Sequence, residues 1–219
     1  MVMTPIMGRG SSVRRKRELR PGPFGLTQEE LPRPVTSLAL FGEAGPLELE
    51  IGSGKGTFLV GESIRRPETY FLGVEYARRY WLFAGDRLRR NDCTNSRVVL
   101  ADATELVREY IDDASLAGVH IYFPDPWPKK RHRKRRLVQK AFIELLVRKM
   151  SPGTRLQVAT DHAGYFEQIE DVLERSPLEI VTFDTTAAAA GEEIVGSNFE
   201  RKYRRQGRPL HAIAAFKPT

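Results

Sequence analysis

The sequence predicts a doubly wound α/β fold in which seven strands form a mostly parallel sheet with helices on both faces. Two observations support this class. Short apolar runs alternate with longer helical segments from residue 46 onward, and glycines or carboxylates follow successive apolar runs. The last two predicted strands lack a full helix between them, so we expect the sheet to end in an antiparallel pair. Ligands of such sheets bind at the carboxyl ends of the strands.

The predicted elements follow one another in β-α order. Strands are expected at Pro46–Ile51, Tyr70–Val74, Arg97–Leu100, Val119–Phe123, Thr154–Ala159, Leu178–Phe183 and Leu210–Phe216. Helices are expected at Gly56–Arg65, Tyr76–Asn91, Thr104–Tyr110, Arg135–Met150 and Ala163–Glu174. Residues 184–196 are small and weakly patterned, which indicates a mobile loop and a candidate lid over the site.

Composition narrows the class of protein further. A chain of 219 residues with 41% hydrophobic content can bury a full core, and we expect a single domain over residues 36–219. Residues 1–35 are rich in Gly, Pro and Arg without an apolar period, which predicts a flexible basic arm. The formal charge of +7 favours a polyanionic partner such as nucleic acid.

The same composition argues against several kinds of site. The single Cys93 excludes an internal disulfide and a zinc site built on paired cysteines, and the four histidines lack metal-ligand spacing, so no metal is expected. No apolar run approaches the ~20 residues of a membrane helix, and the N-terminus has no hydrophobic signal core. We therefore expect a cytoplasmic protein without membrane contact.

The turn after the first strand, Glu50-Ile51-Gly52-Ser53-Gly54-Lys55-Gly56-Thr57, has three competing interpretations. A phosphate-binding P-loop requires a glycine where Leu49 stands. A dinucleotide-binding loop requires a third glycine at the position of Thr57. Glu48 and Glu50 flank the turn, where they would repel a pyrophosphate and attract a cation. S-adenosylmethionine is a cationic ligand without phosphate, so the turn favours that cofactor.

Two further carboxylates follow the next two strands. Glu75 lies about 20 residues after the glycine turn, where an acid can accept hydrogen bonds from ribose hydroxyls. Asp102 follows the third strand, within reach of an adenine amino group. Each acid alone is more often a helix cap or a surface residue. The glycine turn and both acids at successive strand ends favour S-adenosylmethionine.

A proline-rich loop and a basic run follow the fourth strand. Pro124, Pro126 and Pro128 restrict the backbone around Asp125 and Trp127. Trp127 could stack on a base or anchor the packing of the turn. Seven of the eight residues from Lys129 to Arg136 are Lys or Arg, which alone would fit a solvated charge run or an import signal. After a buriable acid and an aromatic residue, the run favours an RNA-binding site.

These motifs together resemble the bacterial tRNA (guanine-N7-)-methyltransferase family, known as TrmB, over about residues 46–217. The most specific is Phe123-Pro124-Asp125-Pro126-Trp127 with the basic residues behind it. The others are Glu50-x-Gly52-x-Gly54-x-Gly56, Gly73-Val74-Glu75, Asp102-Ala103, Ala159-Thr160-Asp161 and Ser197-x-Phe199-Glu200. Ser197 stands where the family commonly has Thr, which keeps the hydroxyl.

The resemblance implies a Rossmann-like class I methyltransferase that uses S-adenosyl-L-methionine to methylate N7 of a guanine in the variable loop of tRNA. The cofactor contacts it implies are Glu50, Gly52, Gly54, Gly56, Glu75, Asp102, Ala103 and Asp125, with Asp125 as the catalytic carboxylate. The substrate contacts it implies are Lys129, Asp161, Ser197, Asn198, Phe199 and Glu200. The RNA contacts it implies are Arg131, His132, Arg133, Lys134, Arg135 and Arg136. We expect tRNA as the partner of a monomer or homodimer, without an obligate partner subunit.

The chemistry of guanine suits these residues. N7 is already nucleophilic, so alignment matters more than a strong base. Methylation leaves the ring cationic, so a carboxylate on the base edge would bind the transition state better than the ground state. Asp125 is the candidate, with Asp161 or Glu200 as a second acceptor. Two alternatives stay open: an amino-methyltransferase acting on adenine or cytosine, and a non-catalytic RNA-binding protein that has kept the fold. A second basic set follows Phe199-Glu200 and is expected on the same face or on a solvated helix: Arg201, Lys202, Arg204, Arg205 and Arg208.

Overall fold

One eight-stranded sheet forms the centre of the computed structural model, which describes residues 18–219. Its strands are β1 Gly25–Thr27, β2 Leu47–Ile51, β3 Tyr70–Glu75, β4 Ser96–Leu100, β5 Leu116–Tyr122, β6 Met150–Thr160, β7 Glu179–Val181 and β8 His211–Phe216. Their order across the sheet is β1-β4-β3-β2-β5-β6-β8-β7. Neighbouring strands are parallel except that β8 is antiparallel to β6 and β7. The expected antiparallel end of the sheet is confirmed.

Helices cover both faces of this sheet, which confirms the doubly wound class. The α-helices in the described part of the chain are α1 Ser37–Phe41, α2 Thr57–Arg65, α3 Arg78–Arg90, α4 Ala103–Glu109, α5 Lys140–Lys149, α6 Ala163–Glu174 and α7 Asn198–Arg205. Apolar side chains of α2 and α3 belong to one core cluster, and those of α4, α5 and α6 to another. None of the helices within residues 18–219 combines the length and apolar character needed to cross a membrane.

The central strand β2 determines where a site can form. It pairs with β3 on one side and with β5 on the other. The strand order therefore reverses direction at β2, and ligands of such sheets bind at this point. Its alternate residues Leu47, Leu49 and Ile51 belong to the core shared with α4, α5 and α6. Glu48 and Glu50 therefore point to the opposite face, where α2 lies.

Element boundaries differ from the expectation at the basic run. Residues Lys130–Arg135 form a 3-10 helix and α5 begins at Lys140, whereas the sequence predicted a helix from Arg135. Like charges one turn apart repel each other on an α-helix, and Arg136 has extended backbone angles that interrupt the helical path. Helix α3 likewise begins two residues later than predicted, because Glu75 accepts a hydrogen bond from the backbone N–H of Ala77.

Residues 18–35 also differ from the predicted flexible arm. Strand β1 pairs in parallel with β4 and adds an eighth strand to the predicted seven. Phe24, Leu31 and Val35 are buried in the two core clusters. Isolated apolar residues among prolines and glycines have no period, so sequence patterns do not reveal their burial. The rest of the predicted arm, residues 1–17, lies outside the described residues.

Candidate functional site

The glycine turn after β2 needs its glycines for backbone geometry. Gly52, Gly54 and Gly56 have φ values of +83°, +53° and +67°, which residues with a Cβ atom rarely adopt. The N–H groups of Gly52 and Ser53 both donate to the carbonyl of Val74, at 2.8 and 3.1 Å. The turn therefore folds across the end of β3.

Glu75, the last residue of β3, organises this turn. Its carboxylate accepts hydrogen bonds from Gly54 N at 2.9 Å and from Ala77 N at 2.7 Å. Burial raises its pKa, although these backbone hydrogen bonds oppose the rise, and the charge of nearby Asp125 adds to it. A turn whose N–H group donates to a carboxylate is poorly suited to a phosphate, so the geometry disfavours the P-loop and dinucleotide interpretations.

Asp102 follows β4 and caps helix α4. One of its carboxylate oxygens, Oδ1, accepts hydrogen bonds from the backbone N–H groups of Thr104 and Glu105, at 2.9 and 3.0 Å. The residue is exposed and also lines a cavity of about 400 Å³. Capping and ligand binding are thus compatible roles for this acid.

Glu48 and Glu50 have different environments, although both were predicted to attract a cation to the glycine turn. Glu48 binds Arg66 through two hydrogen bonds and His120 through a third, which lower its pKa to about 2 against the opposing effect of burial. Oε2 of Glu50 and Oγ of Ser53 are buried without a hydrogen-bond partner. Burial raises the pKa of Glu50 to about 8, and the charge of Glu75 adds to the effect. Only Glu50 is therefore available to a cationic ligand.

Two adjoining cavities lie above these strand ends, with volumes of about 400 and 180 Å³. Both are lined by Gly52, Gly54, Tyr80, Tyr122 and Phe199. The larger cavity is also lined by Glu75, Asp102, Ala103, Asp125, Trp127 and Arg135. The smaller is also lined by Glu50, Ser53, Lys55, Thr57, Ser197, Asn198 and Lys202. The four acids predicted to bind the cofactor thus line two cavities that share a wall.

The loop after β5 presents Asp125 to the larger cavity. Phe123 and Trp127, on either side of it, have φ values of +54° and +41°, a backbone region that residues other than glycine seldom adopt. The guanidinium of Arg135 lies 5.1 Å from the Trp127 ring centroid, and the His132 ring lies 5.9 Å from it. Trp127 therefore packs within the loop and also lines the cavity.

The basic run divides into two environments. Lys129, Lys130, Arg131, Arg133, Lys134 and Arg135 are exposed, and His132 is half-buried. None of these Lys and Arg residues forms an ion pair with a carboxylate in the part of the chain that the structure describes. Arg136, assigned to RNA by the resemblance, is instead only 2% exposed.

The segment Ser197-Asn198-Phe199-Glu200 starts α7 and borders the cavities from the other side. Asn198 donates to the Thr57 hydroxyl at 2.8 Å, and Phe199 packs over Gly54. Glu200 differs from the expectation of a substrate contact because its side chain is fully buried. Its carboxylate accepts hydrogen bonds from the backbone N–H groups of residues 194, 195 and 196, at 2.7 to 2.8 Å, and from Arg204.

The candidate lid, residues 184–196, is anchored at both ends. Ala187 N donates to the buried Glu62 carboxylate at 2.7 Å, and the Thr186 hydroxyl donates to Val195 O at 2.6 Å. Gly196 has φ +66°, and a Cβ atom there would lie 1.9 Å from the carbonyl oxygen of Ala188. The segment folds around Glu200, and its motion as a lid remains a prediction.

Lys129 and Asp161, the remaining predicted substrate contacts, line neither cavity. Asp161 accepts a hydrogen bond from Arg208 at 2.5 Å. Tyr80 and Tyr122 line both cavities but are not among the site residues that the sequence motifs predicted. Tyr122 ends strand β5, so its place at a strand end was the signal that could have revealed it.

Comparison with known proteins identifies the family. The chain matches the family described as "Putative methyltransferase" over residues 44–213. A tRNA (guanine-N(7)-)-methyltransferase from Rhodopirellula baltica is 41% identical over 194 residues, covering 85% of this chain and 72% of that protein. A protein of the same name from Alkalilimnicola ehrlichii is 40% identical over 185 residues, covering 84% and 78%.

Solved structures support the fold. The crystal structure of a 30S ribosomal A1408 methyltransferase from an uncultured bacterium has a TM-score of 0.56 at 14% identity, covering 78% of this chain and 87% of that chain. The predictions of a class I methyltransferase fold and of S-adenosylmethionine as cofactor are confirmed. By family match and by identity to its relatives, this chain belongs to the tRNA (guanine-N7-)-methyltransferase family.

Proposed function

We propose that this chain transfers the methyl group of S-adenosylmethionine to N7 of guanine 46 in the variable loop of tRNA. The observation that carries the proposal is the cavity lining: Glu50, Glu75, Asp102 and Asp125 line two cavities that share five lining residues, beside an exposed basic run. The relatives' names supply the tRNA guanine as substrate.

The cavity fits the cofactor by charge. Glu50 has a buried carboxylate oxygen without a hydrogen-bond partner. The ammonium group of the cofactor could donate to this oxygen, and its positive charge would favour the ionised form of the carboxylate. Glu75 and Asp102 would hold the ribose hydroxyls and the adenine at the other end of the cavity. S-adenosylmethionine bound there supplies an electrophilic methyl group on sulfur.

Asp125 would act on the guanine. It is exposed and lines the larger cavity, on a loop in which Phe123 and Trp127 have left-handed backbone conformations. A carboxylate facing the N1 and N2 edge of the base accepts stronger hydrogen bonds as N7 gains its methyl group and the ring becomes positive. The same carboxylate can also receive the N1 proton, and a pH profile of the rate distinguishes these two roles.

The exposed part of the basic run would bind the tRNA backbone. Its cations are free of competing carboxylates in the described residues, so they can neutralise phosphates and release counterions. Such contacts position the RNA, whereas the cavity selects the base.

The test is to incubate the protein with labelled S-adenosylmethionine and unmodified tRNA and to identify the modified nucleoside by mass spectrometry. We expect 7-methylguanosine from the unsubstituted protein and a loss of at least about 100-fold in rate for Asp125→Ala. Asp112→Ala is the matched control, because Asp112 is an exposed acid that lines neither cavity.

Three outcomes contradict the proposal in different ways. A methyl group on an adenine or cytosine amino group would identify an amino-methyltransferase. Failure to bind S-adenosylmethionine in calorimetry would support a non-catalytic RNA-binding protein. Full turnover by Asp125→Ala would remove the role assigned to that carboxylate.

A further inference from the structure

Arg136 ends the basic run but does not share its exposure. It is 2% exposed, while Arg133, Lys134 and Arg135 before it are exposed. A guanidinium buried to this degree cannot reach a phosphate in solvent without leaving its present contacts. Its role therefore has to be sought in those contacts.

The guanidinium joins the Asp125 loop to helix α6. Nε donates to the carbonyl of Pro126 at 2.8 Å. Nη1 donates to the carbonyl of Gly164 at 2.9 Å and to the side-chain oxygen of Gln168 at 2.8 Å. The group also lies over the Tyr165 ring, 4.6 Å from its centroid. One planar side chain thus holds the residue next to Asp125 against the start of α6.

No carboxylate among residues 18–219 forms an ion pair with Arg136. Its three acceptors are two carbonyls and an amide, and its Nη2 is buried without a partner. Burial lowers the pKa of the Arg136 guanidinium, and the nearby charge of Arg133 lowers it further. Burying a charge without a counter-ion costs stability, so the position is better explained by geometry than by stabilisation.

The loop that Arg136 holds needs external support. Phe123 and Trp127 occupy left-handed backbone conformations at φ +54° and +41°, which are strained for a residue with a side chain. Such conformations persist only where surrounding contacts fix them. The hydrogen bond to Pro126 O falls between the two, one residue after Asp125.

We propose that Arg136 is a positioning residue that fixes the Asp125 loop for methyl transfer and is not a phosphate ligand. The inference rests on the proposed function for the role of Asp125. It separates Arg136 from the six basic residues before it, which remain available to RNA.

The experiment compares Arg136→Gln and Arg136→Lys with Arg133→Gln, an exposed arginine in the same run. We measure the dependence of tRNA affinity on salt, kcat and KM, and acrylamide quenching of Trp127 in a Trp81→Phe background. A lost phosphate contact reduces the slope of log affinity against log salt by about 0.7–0.9.

Arg136→Gln is expected to leave the salt slope and the KM for tRNA unchanged, to lower kcat by about tenfold or more, and to increase quenching of Trp127. Arg136→Lys should not restore kcat, because an ammonium cannot reproduce the planar fork. Arg133→Gln should reduce the salt slope and raise the KM for tRNA without increasing the quenching of Trp127. A reduced slope in Arg136→Gln with normal kcat and quenching would overturn the proposal.

A milder variant covers the case in which the Arg136 substitutions do not fold. Gln168→Leu removes one acceptor and leaves the arginine in place. We expect a fall in kcat of about threefold with an unchanged salt slope, and unchanged kcat and quenching would contradict the proposal. Absence of methylation by the unsubstituted protein would instead refute the proposed function, and the salt slopes and Trp127 quenching would still decide on Arg136.

Discussion

Two arginine-rich segments border the cavity, and they differ in what their charges do. The basic run Lys129–Arg135 has exposed cations without carboxylate partners among residues 18–219. In and after helix α7, Arg201 binds Glu193 at 2.8 Å, Arg204 binds Glu200 at 3.1 Å, and Arg208 binds Asp161 at 2.5 Å. Similar compositions therefore have opposite electrostatic consequences.

The difference lies in the neighbouring acids. The acids around α7 hold backbone as well as arginine, since Glu200 accepts three backbone N–H groups of the preceding segment. Neutralised cations of this kind stabilise the wall of the cavity. The cations of the basic run are not neutralised, so they attract RNA over distances up to about the Debye length. The positive charge available to RNA therefore lies on one side of the site.

The largest expected effect is at Glu200. Glu200→Ala leaves three backbone N–H groups without their acceptor, which should lower the free energy of unfolding by about 3 kcal/mol and the Tm by about 6–10 °C. We expect methyl transfer to fall with it. Glu192→Ala is the matched control, because the side chain of Glu192 is 94% exposed. Normal stability of Glu200→Ala, measured by thermal denaturation, would contradict the structural role.

Matched triple substitutions test the comparison directly. Changing Arg131, Arg133 and Lys134 to Gln should weaken tRNA binding about tenfold or more and reduce the salt slope by about two to three. Changing Arg201, Arg204 and Arg208 to Gln should lower the Tm and alter the slope by less than about one. Equal slopes for the two triple variants, measured by filter binding across salt concentrations, would break the distinction.

Glu50 supplies an acid without a cation, and this predicts a pH effect. Its pKa is raised from 4.5 to about 8, so its stabilising contribution is complete below pH 4.5 and is lost as pH rises through 8. Without cofactor, Glu50→Gln should therefore melt a few degrees above the unsubstituted protein at pH 9 and close to it at pH 5. S-adenosylmethionine should raise the Tm of the unsubstituted protein only. A difference that does not change with pH would contradict the assignment.

The smallest effect is expected at Lys202, which with Arg205 is one of two exposed basic residues of α7 that form no ion pair among residues 18–219. It is exposed, lines the smaller cavity and forms no ion pair in the described part of the chain. Lys202→Gln should reduce the salt slope by about 0.7–0.9, as a residue of the basic run would. An unchanged slope would extend the structural role to the whole helix.

The fold and the cofactor end of the site follow from the sequence because both depend on local patterns. Alternation of apolar residues marks the strands, and Glu75 and Asp102 lie where strands end. Strand β1 and the burial of Phe24 were not predicted, because they depend on pairing with the free edge of β4 and not on a local sequence pattern. Within the basic run, Arg133 and Arg136 cannot be distinguished from spacing, since the burial of Arg136 is set by α6, which is nearly thirty residues further along the chain.

The left-handed residues beside Asp125 have a consequence for laboratory evolution. Glycine at position 123 would relax a backbone held at φ +54°, but it would also remove a ring that packs against the core and lies 5.8 Å from the Tyr203 ring. The lost packing outweighs the relieved strain, so selection for heat resistance and selection for turnover should both retain Phe123. A library screened for either property is expected to keep the aromatic residue at this position.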